Sequence, residues 1–210
     1  MIKAIIFDVD GVLVDSKNAN VALFQKILQK AGYSESSREE ILKYFHLPLW
    51  QALEKLTGSD DQKEIERVWN LAKDPSMRDN TLLNFPDKLE YILEELHKRY
   101  KLAIVTSRIR VGIEDIFNAR EIKHLFDAVV TFEDVKNPKP HPEPLLLALE
   151  KLNLSSNEAM YIGDSATDID AAKAANMRSI YLSPIKHNDA TANILQFNEL
   201  LNAVEHISNL

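Results

Sequence analysis

Four groups of residues have the types and spacing to do chemistry. The first is Asp8-Val9-Asp10-Gly11-Val12, directly after a short apolar run. Two carboxylates two residues apart can divide the work of a reaction. One attacks as a nucleophile, the other moves a proton, and both offer oxygen to a hard cation such as Mg²⁺. The second is Gly163-Asp164-Ser165-Ala166-Thr167-Asp168, again after an apolar run. There Asp164 is placed to share a metal with Asp8, and Asp168, one helical turn on, is suited to supporting the groups around it. The third is Thr106-Ser107, whose hydroxyls and backbone N–H groups can bind phosphoryl oxygens. The fourth is Lys139, stiffened by proline on both sides in Asn137-Pro138-Lys139-Pro140-His141-Pro142, where an ammonium can offset the charge of a transferring phosphoryl group.

Taken singly, each group has a plainer reading. Asp8 and Asp10 also fit an acidic turn, and Ser165 to Asp168 fit a helix N-cap complementing the dipole. Thr106 and Lys139 also fit an ordinary strand end and a surface loop. Their positions change the balance. Five short runs rich in β-branched residues read as buried strands: Lys3–Phe7, Lys101–Thr106, Ala128–Thr131, Ala159–Ile162 and Ser179–Leu182. Helical stripes such as Leu89/Ile92/Leu93/Leu96 and Leu145/Leu146/Leu149/Leu152 alternate with the later runs. That alternation predicts an α/β fold, a three-layer Rossmann-like parallel sheet with helices on both sides. All four groups then fall at strand ends or in the loops leaving them, where open α/β sheets place their sites. Together they describe a magnesium-dependent phosphoryl-transfer site.

Residues 16–82 interrupt the rhythm with helical stretches only, marked by Ala22, Leu23, Ile27 and Leu28 and by Ile65, Val68, Trp69 and Ala72. The expected organisation is a core of residues 1–15 and 83–210 and an inserted helical cap of residues 16–82, with hinges near Val14–Lys17 and Leu82–Pro86.

In this order and spacing the residues resemble the haloacid dehalogenase (HAD) superfamily, in its phosphatase branch with a small helical (C1-type) cap, near the phosphoglycolate phosphatases and β-phosphoglucomutases. The resemblance covers essentially the whole chain. It implies Asp8 as the nucleophile that forms an aspartyl-phosphate and Asp10 as general acid and base. It implies Thr106 and Lys139 on the phosphoryl oxygens, with Ser107 adding local hydrogen bonds. Mg²⁺ would be held by Asp8, the backbone carbonyl of Asp10, and Asp164, while Asp168 orients Lys139 or a metal-bound water. The dehalogenases of the superfamily need no metal and lack the second aspartate, so Asp10 and Asp164 argue against that activity. The phosphomutases carry a histidine in the first cap helix and an arginine in a cap loop. Here Asn20 and the loop Phe45-His46-Leu47-Pro48-Leu49-Trp50 stand at those places. Asn20 and His46 become candidate substrate readers, and the missing histidine and arginine disfavour a sugar phosphomutase, which is kept as the alternative. A non-catalytic phospho-ligand binder would be marked by loss of Asp8 or Asp10, and both are present. The usual proline–glycine at the cap's return is Phe85-Pro86-Asp87.

Composition narrows the rest. The chain has 210 residues, enough for one or two domains. It has no cysteine, which removes disulfides, thiolate metal sites and a cysteine nucleophile. Its 25 basic and 32 acidic residues give a net charge of −7, against a nucleic-acid or anionic-membrane partner. No apolar run reaches membrane-spanning length, and residues 1–8 meet an acid after four apolar residues, so a cytoplasmic location is expected. No pair of histidines at helical spacing suggests zinc, and neither nucleotide-binding glycine motif occurs. Trp50 and Trp69 read as cap core, with Trp50 the better candidate for substrate contact. His141 reads as loop support, and Arg108 and Arg110 as solvated charges or an anion-attracting rim. The expected partner is a small phosphorylated metabolite, bound by a monomer or weak dimer.

Overall fold

A computed structural model of the chain describes residues 1–45 and 47–209. It divides into two compact units: Met1–Asp15, Phe85–Thr106 and Arg120–Leu210 in one, Ser16–Asn84 and Ser107–Ala119 in the other.

The first unit is built on strands β1 (Ala4–Phe7), β2 (Lys101–Val105), β3 (Ala128–Val130), β4 (Ala159–Gly163), β5 (Arg178–Leu182) and β6 (Ala192–Ile194). All neighbours pair in parallel, in the order β3-β2-β1-β4-β5-β6. The first five strands match the predicted runs to within a residue at each end. The sixth, Ala192-Asn193-Ile194, is too short and too polar to stand out in sequence; it is an edge strand held to β5.

Parallel strands need crossovers, and the helices supply them. In this unit these are α5 (Leu89–His97), α7 (Glu143–Leu152) and α8 (Ala166–Ala174), while α9 (Leu200–Ser208) follows the last strand. On one face, Ala4, Ile6, Ala103, Val105, Ala159 and Tyr161 pack against Leu145, Ala148 and Leu149 of α7 and Ala171 and Ala172 of α8. The other face is covered by α5, which meets β2 and α9, and by α9, which meets β6. Because both faces are covered, Ala4, Ile5, Ile6 and Phe7 are all fully buried. Each large apolar side chain so buried contributes about 1.5–3 kcal/mol, which is why the run reads as continuously apolar instead of alternating. Of the predicted stripe on α7, Leu145, Leu149 and Leu152 are buried, but Leu146 is 45% exposed. The buried fourth place is taken by Ala148, one turn below Leu152.

The second unit contains α1 (Lys17–Ala31), α2 (Arg38–Lys43), α3 (Leu49–Thr57), α4 (Gln62–Leu71) and α6 (Arg110–Ala119). Val21, Phe24 and Ile27 of α1, Ile41 of α2, Ala52 and Leu53 of α3, and Ile65 and Val68 of α4 form its core, joined by Ile109 just before α6. The face of α1 turned inward is thus Val21, Phe24, Ile27 and Leu28, and Ala22 and Leu23 lie at its margin. Trp50 and Trp69 meet edge to face, ring centroids 6.0 Å apart, and both border this core. Asp115 of α6 and Arg78 form an ion pair with side chains 13% and 8% exposed. No helix among the described residues is long and apolar enough to cross a membrane.

Candidate active site

The register of β1 with its two neighbours assembles the site. Phe7 stands opposite Ile104 of β2 and Ile162 of β4. The next residue, Asp8, remains extended, its N–H donating to the Ile162 carbonyl at 2.8 Å. Thr106 and Asp164 are therefore the residues just past the ends of the strands flanking Asp8. Side chains alternate along a strand, so Asp8 emerges on the same face as Ile6 and Tyr161, the face covered by α7 and α8.

Lys139 waits on that face. Its Nζ donates to Asp8 Oδ1 at 2.9 Å, to Asp168 Oδ1 at 2.6 Å and to Tyr161 Oη at 3.0 Å. All four groups are nearly sealed from solvent: Tyr161 is fully buried, and the Lys139, Asp8 and Asp168 side chains are 6%, 9% and 1% exposed. The loop carrying Lys139 is fastened from its far end by Glu143, the first residue of α7. The Glu143 carboxylate accepts the backbone N–H groups of Lys136 and Asn137, at 2.8 and 3.1 Å, and the Asn137 amide at 2.8 Å. His141 accepts the Glu143 backbone N–H at 3.2 Å, the loop support expected of it.

Asp168 is held as firmly. Ser165, the N-cap of α8, forms a capping box with it: Asp168 Oδ2 accepts Ser165 Oγ at 2.6 Å and the Ser165 N–H at 3.1 Å. Gly163 makes room, because a Cβ there would sit 2.3 Å from the Asp168 Cβ. Gly11 performs the same service for Asp164. It has φ +79°, and a Cβ on it would lie 1.9 Å from Asp164 Oδ2. The turn around it is wound on the Val9 carbonyl, which accepts the N–H groups of Val12, Leu13 and Val14 at 2.9–3.2 Å. Asp10 lies within that turn, paired in a short bridge to Val14.

Electrostatics follow from crowding. Burial, with Asp168, Asp164 and Asp10 adding to it, pushes the Asp8 carboxyl well above its ordinary range, even against the opposing pull of Lys139. Burial alone would lower Lys139, but Asp168 and Asp8 more than reverse this and hold it charged. Burial likewise opposes ionisation of Asp168, yet Lys139 and the bonds from Ser165 and Tyr161 keep it below the usual carboxylate range. Tyr161 is pushed well up by burial and by Asp168 and Asp8, so it stays a neutral phenol.

Oxygens of Asp8, Asp164 and Asp168 lie within 4.8 Å of one another. Three carboxylates gathered beside a single ammonium make a donor set of hard oxygens with excess negative charge. That set fits a hard divalent cation such as Mg²⁺. Both Asp168 oxygens already accept bonds from Lys139, Tyr161 and Ser165, so Asp8 and Asp164 are the carboxylates suited to hold it.

The predicted residues divide accordingly. Asp8, Lys139, Asp164 and Asp168 come together in the first unit. Thr106 stands at the end of β2, 4% exposed, its N–H donating to the Val130 carbonyl at 3.0 Å. Ser107 and Asn20 belong to the second unit, and the Asn20 amide donates to Ser16 Oγ at 3.3 Å. His46 lies outside the described residues. Sequence reasoning missed Tyr161, which it read only as part of a buried strand. The available signal was a phenol in an otherwise apolar, doubly covered run, since a buried hydroxyl requires a partner.

The parallel sheet thus gathers an acidic cluster and a buried lysine at its carboxyl edge, where α/β enzymes place their sites. Residues 5–182 match the family model of the haloacid dehalogenase-like hydrolases. The chain belongs to that family, and is a hydrolase. It is 32% identical over 181 residues to pyrophosphatase PpaX of Bacillus velezensis, covering 85% of this chain and 82% of that protein. Among solved structures it resembles a HAD-superfamily hydrolase, subfamily IA, of Geobacter sulfurreducens (TM-score 0.72, 28% identity, 97% and 96% of the two chains). It also shares the fold of a β-phosphoglucomutase of Clostridium difficile (TM-score 0.81, 21% identity, 100% and 98% of the two chains).

Proposed function

We propose that the protein is a Mg²⁺-dependent phosphatase that hydrolyses a small phosphorylated metabolite through an aspartyl-phosphate on Asp8. The observation that carries this reading is the buried Lys139 ammonium bridging Asp8 and Asp168 beside Asp164. An Asp8 carboxylate oxygen attacks phosphorus while the bond from phosphorus to the leaving oxygen breaks. Asp10 gives its proton to that oxygen. In the second step Asp10, now ionised, takes a proton from water. The water oxygen bonds to phosphorus, the bond to Asp8 breaks, and orthophosphate leaves with both aspartates restored. Lys139 and Thr106 hold the phosphoryl oxygens, and Asp168 holds Lys139. Asp8, the Asp10 backbone carbonyl and Asp164 would hold Mg²⁺, which when bound offsets the repulsion between carboxylate and phosphoryl charge.

Several relatives 28–32% identical to this chain carry the name pyrophosphatase PpaX, so inorganic pyrophosphate is the first substrate to try. The sugar phosphomutase alternative draws only on likeness of fold. The test is phosphate release from pyrophosphate, phosphoglycolate, hexose phosphates and nucleoside monophosphates, with Mg²⁺ or chelator, for wild type and Asp8→Asn. Release that needs Mg²⁺ and is lost in Asp8→Asn supports the reading. Release that survives Asp8→Asn overturns it, and isomerisation of a sugar phosphate without release favours the mutase.

A further inference from the structure

Lys139 has three N–H bonds to give, and three acceptors take them: Asp8 Oδ1, Asp168 Oδ1 and Tyr161 Oη. Two of those acceptors are carboxylates. The third is the hydroxyl of a fully buried residue in the middle of β4. Tyr161 does more than accept. Its own proton reaches Asp168 Oδ1 at 2.9 Å, with the Val105 carbonyl a longer acceptor at 3.4 Å. Asp168 Oδ1 thus receives both Lys139 and Tyr161, and the three groups close a ring of hydrogen bonds. Two corners of that ring stand on rigid supports, β4 and the capping box of α8. Only the Asp8 bond of Lys139 lies outside it.

We infer that Tyr161 is a positioning residue for the phosphoryl transfer: with Asp168 it fixes two of the three N–H bonds of Lys139, leaving one directed at Asp8 and at the phosphoryl group that Asp8 receives. This rests on the phosphatase reading above. A lysine ammonium otherwise rotates freely about its last bond, and its four-carbon stem adapts to whichever anion is nearest. With the ring intact, the shift of charge from the Asp8 carboxylate to a phosphoryl oxygen is followed by a single N–H already aimed there, with little reorganisation. Without the Tyr161 hydroxyl, one N–H of a buried cation has no partner, and the ammonium is drawn from the reaction line.

The test is Tyr161→Phe, which keeps the ring and removes only the oxygen, with Tyr161→Met as a second variant that fills the space flexibly should the first fold poorly. Tyr100→Phe is the control. Tyr100 is also buried and loses a hydrogen bond, to Ser208 at 3.1 Å, on the α9 side of the sheet. Activity is read on the substrate turned over best and on p-nitrophenyl phosphate, whose leaving group needs no proton. In Tyr161→Phe, kcat should fall about 10- to 100-fold on both substrates with KM within about threefold. Tyr100→Phe should keep the wild-type kcat. An independent readout is the ¹⁵N–¹H signal of the Lys139 ammonium, assigned by its loss in Lys139→Met. It should be visible in wild type through slow exchange and broaden in Tyr161→Phe. A kcat within twofold of wild type, a change confined to KM, or an unaltered ammonium signal overturns the inference. A wild type that releases no phosphate from any substrate refutes the phosphatase reading, while the ammonium signal still tests the ring by itself.

Discussion

Gly11→Ala tests how the proposed metal ligand Asp164 comes to be where it is. Glycine at 11 meets two demands at once, a φ of +79° and the near contact of Asp164. An alanine at that φ costs about 1–2 kcal/mol of backbone strain. Its Cβ would begin 1.9 Å from Asp164 Oδ2, so the carboxylate must retreat by about 1.5 Å to reach ordinary van der Waals contact. Metal–oxygen distances tolerate only about 0.2 Å, so a ligand moved that far is lost to the cation. Loosening even an outer partner of a metal ligand costs about 10- to 100-fold in affinity, and losing Asp164 should cost at least as much. Calorimetric titration with Mg²⁺ measures this directly, without turnover. The strain should lower the melting temperature of the metal-free protein by about 2–8 °C, at about 2–4 °C per kcal/mol for a chain of this length. Wild-type Mg²⁺ affinity in a folded Gly11→Ala protein would refute the assignment of Asp164 as a ligand shaped by this contact.

Lys139→Met should abolish measurable turnover and leave Asp8 and Asp168 buried without their cation, costing about 3–5 kcal/mol in denaturant unfolding. Burial pushes the Asp8 carboxyl up, so a proton competes with Mg²⁺ for it. Binding measured near pH 5.5 in two buffers of different ionisation enthalpy should therefore release protons, and affinity should fall as pH falls. The opposite sign holds for Glu158, lowered from 4.5 to about 2 by the bonds from Lys3 and Ser155. Its contribution is complete above its unfolded value and is lost as pH falls from about 4.5 through 2, so thermal melts of Glu158→Gln and wild type should differ at pH 7 and converge at about pH 2. Arg78→Met should destabilise the second unit by about 3–5 kcal/mol by stranding Asp115, and adding Asp115→Leu should recover part of that loss in the same melts.

The sequence carried the reactive set in local signals. Asp8 and Asp10 announce themselves because acids end an apolar run that must be a strand. Asp164 and Asp168 do so because a capping box begins the helix after another such run. Parallel pairing then requires these ends to share one edge, and their order along the chain carries the resemblance to the family to which it belongs. The edge strand β6 escaped, because three residues held by one neighbour need little hydrophobic pattern. Tertiary structure decided what depends on distance between segments remote in the chain. Lys139 and Asp8 are 131 residues apart, and only the β1–β4 register with the Glu143-fastened loop brings Nζ to 2.9 Å. Tyr161 is in sequence one more residue of a buried run, and the fold makes it the third partner of that ammonium. Likewise only their contacts reveal Gly11 and Gly163 as the space into which Asp164 and Asp168 fit. Residue type limits what a group can do, and which partner it meets is fixed only when close packing removes every other choice.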